Sequence, residues 1–188
     1  MGKIYKKVIC ITGPAGSGKT TLSEYLKNKG YPVINVDELG HMALEITKQK
    51  LISEFGDILD RNGHVSREKL KQKLISQKDW RKLEDITHPV IRKLLDEEIK
   101  KQNGKKIIVD VAIPYTLKLE NICDVIIRIE VPKNVLKARL TKRGMDREFI
   151  DKILKKQEKE TGKVDFIIEN NSNIYEFIKK GLSLIEQL

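Results

Sequence analysis

Three observations predict an α/β fold built on a three-layer parallel sheet. Short apolar runs rich in Ile and Val alternate with stretches of helical periodicity, the pattern of strands joined by helical crossovers. A glycine-rich bend, Gly13-Pro14-Ala15-Gly16-Ser17-Gly18-Lys19-Thr20, follows the first of those runs directly. One long interval, from Leu39 to about Asn103, carries no convincing strand.

The strand-type runs lie at residues 8–12, 33–35, 107–111, 125–131 and 166–169. The third and fourth are near-continuous in Ile and Val, as strands covered on both faces are. After the bend, Leu22, Tyr25 and Leu26 fall on one face of a helix. Residues 39–55 read as a helix with Leu39, Met42, Ala43 and Ile46 on one side. Helices follow at 68–76 and 79–101, the second interrupted at His88-Pro89, because proline disfavours helix at the residue before it. Val135, Leu136 and Leu140 mark a helix after Pro132, and Ile174, Phe177, Ile178, Leu182 and Ile185 mark the last. The strand-free interval is longer than a simple crossover. The layout expected is therefore one domain, with a core of residues 1–38 and 104–188 and a helical insertion at 39–103.

A chain of 188 residues, 39% apolar and 34% charged, is globular and long enough for a self-sufficient core. Aromatics at 5% make that core mostly aliphatic. The net charge of +10 admits nucleic acid, an anionic membrane or anionic small molecules as partners. The lysines are dispersed in pairs, however, at 6–7, 100–101, 105–106, 155–156 and 179–180, which favours a solvated surface over a dedicated nucleic-acid face. No stretch approaches a membrane span, and the N-terminal apolar run ending at Gly13 is too short for a secretory segment. Cys10 and Cys123 lack metal spacing and are expected as buried free thiols in a reducing compartment, which makes the expected location cytoplasmic.

The bend fits G-x-x-x-x-G-K-[ST], the phosphate-binding P-loop, at every fixed position. Glycines let the backbone wrap closely so that successive N–H groups converge, and the following helix adds its free N–H groups and positive dipole end. Residues 13–21, ending in Thr20 and Thr21, are thus the expected cradle for ATP. Lys19 reaches the β- and γ-phosphates, and the Thr20 hydroxyl is the expected Mg²⁺ ligand.

Asp37 stands just past the strand at 33–35, on the sheet edge where ligands bind in such folds. It can accept a proton from an attacking hydroxyl, orient Mg²⁺ through water, or cap the helix that opens at Glu38. Asp110 ends a second strand in the manner of a Walker B acid. Arg139 and Arg143, four apart, suggest either a solvent-facing basic helix or a lid whose forked donors close on phosphates. His88 is either structural or, at an irregular helix break, a ligand contact.

Taken in order, these segments resemble the dephospho-coenzyme A kinases, a family of the nucleoside-monophosphate-kinase-like P-loop group. The resemblance rests on ITGPAGSGKTTLSEYLKNKG, YPVINVDELGHMALE, EFGDILDRNGHVSREKL, LEDITHPVI, RLTKRGMDREFIDKILKKQ and VDFIIENN. It implies a P-loop kinase fold with a helical acceptor-binding subdomain and a lid at about 139–160. The implied reaction transfers the γ-phosphoryl group of ATP to the ribose 3′-hydroxyl of dephospho-coenzyme A. Asp37 then matches the catalytic aspartate, His88 an acceptor-site histidine, and Arg139 and Arg143 the lid arginines. Asp110 stands with Asp37 and His88 as an expected substrate-side residue. The chain departs from the family pattern at Asn35, where a first acid is usual, at His41, near the place of an arginine, and through 110–116, where the proline is displaced and an acid is missing. A kinase for another small-molecule or nucleotide acceptor is the first alternative. A nucleic-acid-associated P-loop ATPase is the second, and the scattered lysines and few aromatics argue against it. The expected partner is the small-molecule acceptor, with no membrane, in a monomer or small homo-oligomer.

Overall fold

The computed structural model describes residues 6–171 and 173–188. Five parallel strands form one sheet: β1 (Lys7–Thr12), β2 (Val33–Asn35), β3 (Lys106–Asp110), β4 (Val125–Glu130) and β5 (Phe166–Glu169). Their order is β2-β3-β1-β4-β5, so β1 is central and the chain reverses its direction of travel across the sheet after it. Eight helices are described: α1 (Lys19–Asn28), α2 (Val36–Ile46), α3 (Lys48–Phe55), α4 (Arg67–Lys73), α5 (Gln77–Lys101), α6 (Lys133–Lys142), α7 (Arg147–Gln157) and α8 (Ile174–Gln187). The chain divides into two compact units, one running through Asn35 and resuming at Lys101–Leu188, the other Val36–Lys100.

In the sheet unit, Ile9, Ile11, Leu22, Leu26, Ile108, Ile127, Ile129, Ile168, Phe177 and Ile185 share one aliphatic core. The Ile/Val-rich runs thus do what their composition demands, since strands buried on both faces have no polar side to alternate. β5 is the exception. It lies at the sheet edge and exposes Phe166 and Ile167. Gly181 of α8 admits Leu22 of α1 so closely that a Cβ there would lie 2.5 Å from Leu22 Cδ1.

In the helical unit, Leu51, Ile58, Val65, Leu70 and Leu74 form a second core, joined by Leu83 and Ile86 of α5. The stretch LDRNGHV is a tight turn closed by a bridge between Leu59 and Val65. The Asp60 carboxylate accepts from the N–H groups of Asn62 and His64, both at 2.9 Å, and the His64 bond chiefly holds its pKa below the ordinary value. Ser66 then caps α4 by accepting from the Lys69 N–H at 3.3 Å.

Three expectations are corrected. Residues 39–55 do not form one helix: the segment splits at Thr47, whose hydroxyl donates to the Ala43 carbonyl and competes with continuation. The break expected at His88-Pro89 is absent, and α5 runs unbroken through Pro89. Proline removes the bond to the carbonyl four residues back. Here that carbonyl belongs to Asp85, and Asp85 and Pro89 are both exposed, so water can take the lost donor's place. Finally, Cys10 and Cys123 are not free thiols. β1 and β4 are neighbours, Cys123 lies just ahead of β4, and the two residues, 5.8 Å apart at Cα, form a disulfide.

Gly181→Ala is expected to lower the unfolding free energy by about 1 kcal/mol, and by no more than about 2 kcal/mol, in urea denaturation. Overpacking against the fully buried Leu22 costs roughly 1–3 kcal/mol, which outweighs the roughly 1 kcal/mol of helix propensity that alanine contributes.

Candidate active site

The P-loop joins β1 to α1 at the carboxyl end of the central strand, beside the point where strand order reverses. In open parallel sheets that crevice is where ligands bind. Two glycines make the bend possible. At Gly13 (φ +146°) a Cβ would lie 2.5 Å from the backbone oxygen of Ile129, which cannot rotate away. At Gly18 (φ +104°), the N-cap of α1, a Cβ would lie 2.6 Å from Asn170 Nδ2.

Lys19 Nζ arches back and donates to the carbonyls of Gly13 (2.7 Å) and Pro14 (3.2 Å), so its charge is held over the loop. The Ser17 hydroxyl is fully buried with no hydrogen-bond partner among the described residues. A buried orphan of that kind is costly, and a polar ligand in the loop gives it a reason. Thr20, in the first turn of α1, is exposed. Asp110 is 7% exposed, ends β3, and stands in register with Ile11 of β1 and Asn35 of β2.

Arg139 of α6 reaches the P-loop. Its guanidinium donates to the Gly16 carbonyl at 3.1 Å and to the Asn170 carbonyl at 3.4 Å. Arg143 does not share those contacts. It is the exposed C-cap of α6, one residue past the helix. The expected lid is a helical hairpin of α6 and α7, held by Leu136, Leu140, Ile150 and Leu154 and packed directly on Ala15 of the P-loop.

Asp37 and His88 lie in the helical unit. Asp37 is exposed and sits inside the first turn of α2, because the helix starts at Val36 and not at Glu38. It is therefore not the residue that precedes the helix. A carboxylate there still suits the helix dipole. His88 is half-buried on α5.

Sequence reasoning assigned no role to Asn170 or Gln157. Asn170 is 6% exposed, and its amide donates to the Ser17 carbonyl at 2.7 Å. Gln157 accepts from the Ala15 N–H at 2.7 Å. Both lie in segments that carried the family resemblance, at the ends of DKILKKQ and IIEN, but spacing alone does not show that two distant segments meet at one loop.

A cavity of about 390 Å³ adjoins the loop, lined by Pro14, Arg128, Glu130, Pro132, Glu169 and Asn171. A larger one, about 480 Å³, is lined by Lys29, Tyr31, Lys105 and Lys106 at the amino ends of the strands. The smaller is the better candidate despite its size, because it borders the phosphate loop.

The family model for dephospho-CoA kinase matches residues 7–176. The chain belongs to that family. It is 35% identical over 181 residues to a dephospho-CoA kinase of Fusobacterium nucleatum, covering 92% of this chain and 94% of the relative. It is 33% identical over 186 residues to one from Borreliella burgdorferi, covering 93% and 90%. A solved structure, TT1252 from Thermus thermophilus, superposes with a TM-score of 0.86 at 23% identity over 97% of both chains and shares the fold. Family membership carries ATP use with it.

Gly13→Ala is expected to weaken ATP binding by at least about fivefold in calorimetric titration, since backbone strain of this kind is worth roughly 1–3 kcal/mol and the Ile129 carbonyl blocks relaxation.

Proposed function

We propose that this protein transfers the γ-phosphoryl group of ATP to the 3′-hydroxyl of dephospho-coenzyme A, giving coenzyme A and ADP. The family match over residues 7–176 carries the reading, and the intact P-loop with Lys19 held over it supports it. The transfer is direct and in line. Phosphoryl transfer needs little covalent chemistry from the protein, and positioning with charge stabilisation supplies most of the acceleration.

The backbone N–H groups of Gly16 and Gly18 and the first turn of α1, with the Lys19 ammonium, hold the phosphates, and the cavity beside Pro14 receives the nucleobase. Arg139 exchanges its bonds to the Gly16 and Asn170 carbonyls for phosphate oxygens, and Arg143 adds charge from the end of the same helix. Asp37, two residues past β2, takes the proton of the attacking hydroxyl. His88 contacts the acceptor.

Mg²⁺ fits the residues present. It takes hard oxygen ligands and keeps several waters and phosphate oxygens, so it needs only one or two protein groups. The Thr20 hydroxyl and the buried Asp110 carboxylate at the end of β3 are of that kind. When bound, Mg²⁺ neutralises charge on the β- and γ-phosphates.

A cytoplasmic location suits an ATP-consuming kinase of this family. No helix among the described residues is long and apolar enough to cross a membrane.

Incubation with dephospho-coenzyme A and ATP·Mg²⁺ is expected to yield coenzyme A and ADP, identified by mass spectrometry; ADP without coenzyme A would overturn the acceptor assignment. Asp37→Asn is expected to reduce kcat by at least ~10²-fold, the low end of general-base effects, while ATP affinity measured by titration stays within about twofold. Near-normal turnover in that variant would remove Asp37 from the role.

A further inference from the structure

The end of α7 holds two loops at once. Gln157, its last residue, accepts from the Ala15 N–H of the P-loop at 2.7 Å. Glu160, three residues on and 7% exposed, turns its carboxylate to the loop that follows Asp110. There it accepts from the N–H groups of Tyr115 (3.1 Å) and Thr116 (3.3 Å) and from the Thr116 hydroxyl. The same segment is tied down on both sides. Arg128 of β4 donates to the Glu160 carbonyl at 3.0 Å, and the Tyr115 hydroxyl donates to the Lys163 carbonyl at 2.7 Å. Burial raises the Tyr115 pKa, so the phenol stays protonated and keeps that donor. The Tyr115 ring lies flush on Gly162, where a Cβ would be 2.1 Å from its Cε1.

The receiving loop is itself folded into a turn, with Leu117 N–H bonded to the Ile113 carbonyl at 3.1 Å and Leu119 N–H to the Pro114 carbonyl at 2.9 Å. Its first residues continue directly from Asp110, the buried acid in register with β1. A buried carboxylate saturated by three donors is a rigid link, since moving it leaves both sides unsatisfied. Thr116 also stands where the sequence departs from its family, in the segment that lacks the usual acid. Here the carboxylate that meets the loop belongs to Glu160, three residues past α7.

We infer that the 157–160 segment is a brace that sets the P-loop and the loop after Asp110 relative to each other, with Gln157 and Glu160 as positioning residues for the transfer. Neither touches the reacting atoms. Gln157 acts through Ala15 on the phosphate cradle. Glu160 acts through Tyr115 and Thr116 on the loop that follows Asp110. The consequence is that filling the cradle with nucleotide stiffens a loop more than 90 residues away in sequence.

The inference rests on ATP binding at the P-loop and is independent of which acceptor is phosphorylated. Amide hydrogen exchange with a non-hydrolysable ATP analogue and Mg²⁺ tests it. In the natural chain, nucleotide is expected to slow exchange at least threefold in both 13–18 and 111–117. In Glu160→Ala the protection persists at 13–18 and is lost at 111–117. Thr116→Val, a milder lesion that keeps the fold, shows the same partial loss, and Glu160→Ala/Thr116→Val is no worse than Glu160→Ala. In steady-state assays Glu160→Ala lowers kcat about tenfold with the KM for ATP within twofold. Gln157→Leu instead raises the KM for ATP, and Gln157→Glu, which keeps an acceptor oxygen for Ala15, restores it. Protection at 111–117 that survives in both Glu160→Ala and Thr116→Val, or that never arises in the natural chain, overturns the brace. So do variants that lose only thermal stability.

Discussion

Between Gly13 and the carbonyl of Ile129 there is no room for a methyl group, and much of the active site follows from that approach. β1 can end in a phosphate loop only if the backbone turns hard against its neighbour β4, and β4 is a neighbour only because the chain crosses to the other side of β1 late in the fold. The same crossing brings Asn170 from the end of β5 to the Ser17 carbonyl, and it brings α6 and α7 over Gly16 and Ala15. The loop is thus held from three sides by elements that are far away in sequence. Two of its amides are committed within the protein, Ala15 to Gln157 and Ser17 to the Pro14 carbonyl.

The parts legible in the sequence are those governed by local rules. Continuous Ile/Val runs gave the strands to within a residue or two, and the G-x-x-x-x-G-K-T spacing located the phosphate loop. The LDRNGHV stretch, selective for the family, proves to be a turn that closes the helical core, so its residues serve folding there. The parts not legible depend on pairing at a distance. Cys10 and Cys123 each look like ordinary apolar-strand cysteines until β1 and β4 are known to be adjacent. Gln157 and Asn170 look like surface polar residues until α7 and β5 are seen to end at the same loop. Pro89 misled for a different reason: the local cost of proline is real, but an exposed position in a long helix leaves the orphaned carbonyl accessible to water.

The positive charge of the chain has a partly internal use. Lys7, at the start of β1, donates to the Leu188 carbonyl, and Lys106, at the start of β3, donates to the carbonyls of Ile185 (2.7 Å) and Glu186 (2.8 Å). These are the unsatisfied carbonyls at the end of α8, where cations are favoured by the helix dipole. Lysines committed to a helix end are not available as a nucleic-acid surface. The pairs at 6–7 and 105–106, prominent in the sequence, therefore weigh less toward such a partner than their number suggests.

The bridge between Cys10 and Cys123 encloses 113 residues of sequence separation, and the whole of Val36–Lys100 lies inside that span. Topologically the helical unit is an arc of a covalent ring fastened at the central strand. A single backbone cut anywhere in the arc leaves one molecule until the bridge is reduced, and even with the arc unravelled the outer parts of the sheet remain tethered. In the chain-entropy picture, a ring of this size takes roughly 4–5 kcal/mol of freedom away from the unfolded polypeptide. A segment so fastened can be shortened, lengthened or exchanged in evolution while the strand that carries the phosphate loop keeps its anchor.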